Sequence, residues 1–445
     1  MMIHQDLKEL AWNEIDRKSD YLINISKRIL NIPETGFMEY KTSKYVSEKL
    51  SELNIPHRKG IALTGIKGYL EGIKPGPTIA IIGELDSVRV EGHAYADPST
   101  SAAHACGHHC QIGMMIGVAV GLKASGILEN LSGRIAFMAL PAEEFIDVEY
   151  RYGLYKSNQI EFMSGKQEFL RLGEFSDIDM AMMTHTSHLG NTKFLLGGTT
   201  NGHFVKFIRF LGKAAHAGGA PHNGVNALQA AILALNALNT QRETFQSEDT
   251  VRLHGIMTSG GVSVSSIPSE VKYEGRVRGA SIDAIENANE KMDRCLRAGA
   301  LAIGAKVEIV TIPGYLPLIN NQELSGLFSS NASTIVGTNA VRINGDNVNR
   351  GGSTDLGDLS HIMPVIHPYT GCATGSGHGI DYIIQDYIQG VINPAKAMAA
   401  TVIDLLSNHS QRASGIIDKF VPRLCTEDYV SSQRARFREE LYEGK

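Results

Sequence analysis

Three apolar stretches of the chain end in groups that can hold a metal or move a proton. TIAIIGELD runs into Glu84 and Asp86, RIAFMALPAEE into Glu143 and Glu144, and DMAMMTH into His185. The segment AHACGHHC adds His104, Cys106, His108, His109 and Cys110 at the mouth of a glycine-rich helix, and GSGHGIDY adds His378 in a glycine-rich loop. Thiolate, imidazole and carboxylate together are the ligand set of zinc, manganese and related ions. Cys106 and His108, two apart, can both face inward from a loop. In a carboxylate pair, one member can bind a metal while its neighbour takes a proton from an activated water, and Glu143–Glu144 fits that division. Each group alone also has an ordinary role: a hydrogen-bonded histidine, a solvated loop glutamate, a cysteine serving as a small hydrophobe, an aspartate capping a helix. A different chemistry would make Cys106 a nucleophile with His104 or His108 as its base and need no metal. A catalytically silent binding protein on an enzyme scaffold is the third reading.

These groups need elements that bring them together. Leu7, Leu10, Ala11, Ile15, Leu22, Ile25 and Ile29 recur at helical spacing; Pro33 interrupts them, and a second helical pattern runs through Val46 and Leu50. Strands are expected from Gly65, with GIKGYLEGI and TIAIIGELD separated by the turn signal KPGP. RIAFMAL (134–140) and DMAMMTH (179–185) read as further strands, with helices over 107–125 and around 165–172. Helices alternating with short apolar strands predict a mixed α/β sheet flanked by helices, whose strand ends collect a ligand site at one edge. From Gly197 the character changes. HFVKFIRFLG (203–212) alternates like a half-exposed strand. A helix (225–241), two strands (251–260, 269–279), a long amphipathic helix (282–304) and a last strand (305–312) follow. That β-α-β-β-α-β order predicts a ferredoxin-like α+β domain over 197–315, inserted into a larger domain made of 1–196 and 316–445 and ending in helix through INPAKAMAATVIDLLSN.

Composition narrows the classes. With 445 residues, 43% hydrophobic and 20% charged, the chain has enough apolar material for a full core and is not disordered. The net charge of -5 comes from 42 basic and 47 acidic residues, well mixed, so no basic stripe argues for nucleic acid. The longest clean apolar run, Ile112 to Leu122, is well short of the ~20 residues that a membrane span needs. The charged, amphipathic N-terminus has no export signal, and five irregularly spaced cysteines do not suit a disulfide framework; both favour the cytoplasm.

PETGFMEY (33–40), GELDSV (83–88), HACGHH (104–109), PAEE (141–144), GKAAHAGGAPHNGVNAL (212–228), GGVSVSSIPSEVKYEGRVRG (260–279), STDLGDLS (353–360) and the glycine-flanked His378 occur in this order. Together they resemble metallopeptidase family 20, the aminoacylase and carboxypeptidase metallohydrolases. Within it they are similar to the amidohydrolase branch that includes p-aminobenzoyl-glutamate, hippurate and auxin-conjugate hydrolases. The resemblance spans nearly the whole chain. It implies a zinc-exopeptidase-like catalytic domain with a lid and dimerisation domain, and hydrolysis of the amide bond of small N-acyl or N-aroyl amino acids. A dipeptidase or an aminohydrolase of another C–N bond would be a relative of that activity. It further implies two divalent ions, manganese or zinc, on Cys106, His108, Glu144, His185 and His378, with Cys106 bridging, Glu143 as general base and Asp86 orienting a ligand. In a homodimer, His216 would reach the partner subunit's active site and polarise the scissile carbonyl, and Arg278 would meet the substrate carboxylate. Ser265 stands where the family commonly has Asn, which bears on carboxylate recognition. The segment 145–164 is longer than the usual loop after PAEE. Its Phe145, Tyr150, Tyr152, Tyr155 and Phe162 could form a specificity wall, a dimer contact or plain packing.

Overall fold

The computed structural model describes residues 4–444, which separate into two compact units. The first comprises the chain up to Gly198, Ile319–Val348 and Asp358–Thr426. Its main sheet has six strands in the order His57–Ile61, Gly65–Glu71, Ser132–Leu140, Lys74–Glu84, Met180–Met182 and Val365–Ile366. The last four run parallel to one another, with Glu84 opposite Leu140, Ile81 opposite Met182 and Ala181 opposite Val365. KPGP does not make the expected turn. It begins the 74–84 strand, and the 132–140 strand lies between GIKGYLEGI and TIAIIGELD. The prolines are tolerated because they sit at the strand's exposed start.

The helix His108–Ala124 packs behind this sheet against Ser19–Leu30 and Asn393–Leu406, and every residue from His108 to Leu122 is buried. An apolar run without a polar face therefore became a central core helix. Gly117 permits the close approach: a Cβ there would lie 2.8 Å from the Ala395 Cβ.

The second unit comprises Thr199–Leu318, Asn349–Gly357 and Glu427–Lys445. Five antiparallel strands run in the order Arg252–Ser259, Glu270–Gly279, Gly202–Leu211, Lys306–Pro313 and Arg438–Tyr442. Helices Ala227–Thr240 and Ile282–Ile303 supply the rest of its core. Two expectations are corrected here. The 203–212 strand is central rather than half-exposed: residues 202–208 are all buried, including Lys206, which pairs with Asp293 and Thr311. The segment 316–445 is not wholly part of the larger domain either. Its tail, too charged to read as a strand, pairs with the 306–313 strand through Val307 opposite Tyr442 and extends the second unit's sheet. Among the described residues no helix is long and apolar enough to cross a membrane.

Candidate metal centre

The parallel strands 74–84, 132–140 and 180–182 end at one edge of the sheet, so Glu84 and Asp86, Glu143 and Glu144, and His185 emerge side by side. The fourth contribution comes from the start of the 108–124 helix. Gly107 adopts φ 85°, and a Cβ there would lie 1.9 Å from the Thr186 Oγ1, so glycine is required both by conformation and by space. That tight corner puts Cys106 and His108 against the strand ends. The loop carrying His378 is tied to the same place by its backbone N–H, which donates to the Ala105 carbonyl at 2.9 Å.

Two donor sets result. In the first, ligand atoms of Cys106, His108 and His185 lie within 4.8 Å of one another; in the second, those of Cys106, Glu144 and His378 do. Cys106 Sγ is 3.2 Å from His185 Nε2, and His378 Nε2 is 2.9 Å from Glu144 Oε1. Asp86 stands behind this cluster, completely buried. Its backbone carbonyl lies 3.0 Å, and its Oδ1 3.3 Å, from His108 Nδ1, while its Oδ2 accepts the Glu144 N–H at 2.8 Å. Holding His108 by Nδ1 leaves Nε2 as its ligand atom. That nitrogen lies buried 3.1 Å from Glu84 Oε2, as Glu144 Oε1 lies buried against His378 Nε2, so each faces another ligand-type atom of the cluster. A third cluster joins Glu84, His108 and Glu143. The residues present therefore fit a metal pair.

The electrostatics of the metal-free cluster point the same way. Burial and the Glu144 carboxylate push the Cys106 thiol up, but His185 and His108 outweigh them and bring it down to about 6. The Glu144 carboxylate pushes His378 up to about 11. Burial opposes charge on Glu84, yet Lys166, at 2.6 Å, and His108 hold it down to about 2. His104 does not serve Cys106 as a base: both its ring nitrogens are buried without a hydrogen bond, and burial keeps it neutral. His188 is a loop histidine bonded to the Ala373 carbonyl.

Sequence reasoning missed two buried supports. Lys166 lies beyond the aromatic segment, and nothing in its neighbourhood in the sequence marks it as buried. Glu39 is the last residue but one of PETGFMEY, and its carboxylate accepts the Ala142 N–H at 2.8 Å and the Thr64 hydroxyl at 2.7 Å. Burial, then the Asp86 charge, push Glu39 up to about 8 from 4.5. The folded state thus binds a proton that the unfolded chain has released, so Glu39 adds stability at low pH that is lost as pH rises from about 4.5 through about 8. In metal-free protein, Glu39→Gln is expected to flatten the fall in Tm over that window; parallel Tm–pH curves for the two proteins would refute the assignment.

The remaining predicted residues lie in the second unit. His216 is exposed, and its Nδ1 accepts the N–H groups of Gly218 at 3.1 Å and Gly219 at 2.9 Å. This sets the tautomer with the proton on Nε2, a donor directed away from the turn. Ser265 sits beside it: its carbonyl accepts the Ala217 N–H at 2.9 Å. Arg278 donates to Ser353 Oγ at 2.8 Å and to His254 Nε2 at 3.2 Å. In the 145–164 segment Phe145 and Phe162 are buried packing residues, while Tyr152 and Tyr155 stack on each other at 6.2 Å.

Comparison with known proteins adds four findings. The family model of the M20 peptidase dimerisation domain matches residues 198–303. The Xaa-Arg dipeptidase of Mus musculus is 31% identical over 416 residues, covering 90% of this chain and 89% of that protein. An N-acyl-L-amino acid amidohydrolase of Geobacillus stearothermophilus is 25% identical over 331 residues, covering 72% of this chain and 83% of the relative. The fold is shared with a dinuclear metal-binding peptidase of the M20 family from Bacillus subtilis, with a TM-score of 0.62 at 20% identity, covering 87% of this chain and 98% of that one.

Proposed function

The chain belongs to the M20 metallopeptidase family, and from that membership we propose that it is a metal-dependent amidohydrolase acting on small N-acyl or N-aroyl amino acids. The observation that carries the reading is the sharing of Cys106 between two three-residue donor sets. One thiolate flanked by His108 and His185 on one side, and by Glu144 and His378 on the other, suits two manganese or zinc ions. When bound, the ions polarise the scissile carbonyl and acidify water.

The rest falls to side chains. Asp86 fixes the ring of His108 and the backbone of Glu144. Glu143 takes the proton of the attacking water and delivers it to the leaving amine nitrogen. His216 donates from Nε2 to the developing oxyanion, and Arg278 with Ser265 recognises the substrate carboxylate. The reading includes a homodimer. The edge strand Arg252–Ser259 and the following loop expose Ile256 at 65%, Val262 at 99% and Val264 at 97%, an apolar edge suited to pairing with a second copy. It includes the cytoplasm, because the five cysteines are all free and their irregular spacing does not suit the disulfide framework of an exported chain.

Purified protein is expected to contain divalent transition metal, to lose hydrolysis of N-acyl amino acids on chelation, and to regain it with manganese or zinc. Full activity in metal-free protein would instead favour Cys106 as nucleophile. The Xaa-Arg dipeptidase relative favours a second reading, peptide-bond hydrolysis in dipeptides. A panel pairing N-acyl amino acids with dipeptides ending in arginine separates the two. Tight binding of either class without turnover by metal-loaded protein would leave only the silent scaffold.

A further inference from the structure

The loop that carries Glu143 and Glu144 is anchored by a buried arginine from the long segment that follows it. Arg151 lies on the helix Val148–Lys156 and is 0% exposed, among the largest fully buried side chains of the described residues. Its Nη1 donates to the carbonyls of Ala142 at 3.1 Å and Met163 at 2.6 Å, and its Nη2 donates to the carbonyl of Glu144 at 3.0 Å. The guanidinium lies over two aromatic rings, 5.4 Å from the Phe37 centroid and 5.2 Å from that of Phe145. Gly36 makes room for it: a Cβ there would lie 2.2 Å from Arg151 Nη2 and 2.8 Å from the Ala142 Cα.

A buried guanidinium is expensive to desolvate, and here three carbonyl dipoles and two ring faces offset that penalty in place of a carboxylate. Helix packing alone would be served more cheaply by an apolar side chain of similar volume. What the charge adds is direction. The N–H groups of Ala142 and Glu144 are held by Glu39 and Asp86, each at 2.8 Å. Arg151 holds the carbonyls of the same two residues. The residues on either side of Glu143 are thus each held by N–H and by carbonyl, so each peptide group flanking Glu143 carries one anchoring bond, and Ala142 is held in the left-handed region at φ 58°, which non-glycine residues adopt uncommonly.

We propose that Arg151 is a positioning residue for Glu143 and Glu144, supplied by the segment 145–164. It sets the direction in which the two carboxylates leave the loop, and Phe37, Phe145 and Gly36 form the slot that aims the guanidinium. The inference rests on the assignment of these carboxylates as base and ligand. The aromatic residues nearest the loop thereby gain a role: Phe145 supports the arginine rather than lining a specificity wall.

The test uses Arg151→Lys, which keeps a positive charge but cannot reach three carbonyls in a fork. Gly36→Ala is made alongside it; that variant keeps the guanidinium and pushes a methyl against it, which covers failure of the lysine variant to fold. Two readouts are taken on folded full-length protein. Affinity for Co²⁺ and the visible spectrum of the cobalt protein report Glu144 without any turnover. Affinity is expected to fall ~10–100-fold with a changed ligand-field band. With N-acyl amino acid as substrate, kcat per metal-loaded site is expected to fall ~10–100-fold, with KM moving far less and the acid limb of the kcat–pH profile displaced. A residue needed only for packing would lower Tm and yield but leave cobalt affinity, spectrum and kcat per loaded site at wild-type values, and that result overturns the proposal. If wild-type protein hydrolyses no amide, the functional reading fails by itself, while the cobalt measurements still decide the role of Arg151.

Discussion

Glu143→Gln is expected to lower amide turnover a hundredfold or more, the usual contribution of a general base being ~10²–10⁴, with metal content near normal. Glutamine keeps the size of the side chain and most of its hydrogen bonding but cannot accept the proton of the attacking water. The position suits the role. Glu143 follows a parallel strand at the carboxyl edge of the sheet and is 8% exposed, and its carboxylate lies within 4.8 Å of ligand atoms of Glu84 and His108. Its neighbour is the control. Glu144 belongs to a donor set with Cys106 and His378, and the Glu144→Gln protein is therefore expected to lose metal as well as activity. Metal analysis and kcat measured on both variants separate base from ligand. The opposite pattern, with Glu143→Gln depleted of metal and Glu144→Gln loaded but dead, would exchange the two roles. Wild-type turnover in Glu143→Gln would remove the base altogether.

The centre was legible because it is built from strand ends. An apolar run closing on an ionisable residue shows in one dimension, and the parallel register, Glu84 opposite Leu140 and Ile81 opposite Met182, turns three such runs into one edge. The inserted domain was legible for a similar reason, since its helices and strands carry clean periodicities. What stayed hidden depends on partners far along the chain. KPGP looks like a turn until the 132–140 strand, some sixty residues later, claims the place between its neighbours. The tail strand Arg438–Tyr442 reads as charged coil because its stability comes from pairing with Lys306–Pro313 rather than from its own pattern. Lys166 and Arg151 look like surface residues because nothing local shows that Glu84, in one case, and three carbonyls, in the other, will be waiting in the interior. Long charged side chains are nearly always exposed, so a sequence reading gives them to solvent by default.

His216→Ala is expected to be nearly inactive yet folded and metal-loaded. The geometry of the turn explains why this histidine could matter without being a ligand. Gly218 and Gly219 both donate to Nδ1, so the ring carries its proton on Nε2 and presents one fixed donor. A neutral donor aimed at a carbonyl oxygen strengthens as that oxygen gains charge, and removing one such donor typically lowers turnover ~10²–10³-fold. Ser265, bonded by its carbonyl to the residue after His216, is tied to the same turn. The proposed dimer puts that donor to work in the partner subunit's active site, and mixing of subunits tests this directly. A His216→Ala chain and a Glu143→Gln chain are each dead as homodimers. If His216 acts in trans, their heterodimer has one site carrying both defects and one site with neither. Mixing under subunit exchange should then restore up to half of wild-type activity per heterodimer, in proportion to the heterodimer population measured by native mass spectrometry. If heterodimers form and activity stays absent, His216 works within its own chain or not at all. A strictly monomeric enzyme with full activity would defeat the assignment before any variant is made, since the donor would then have no second site to serve.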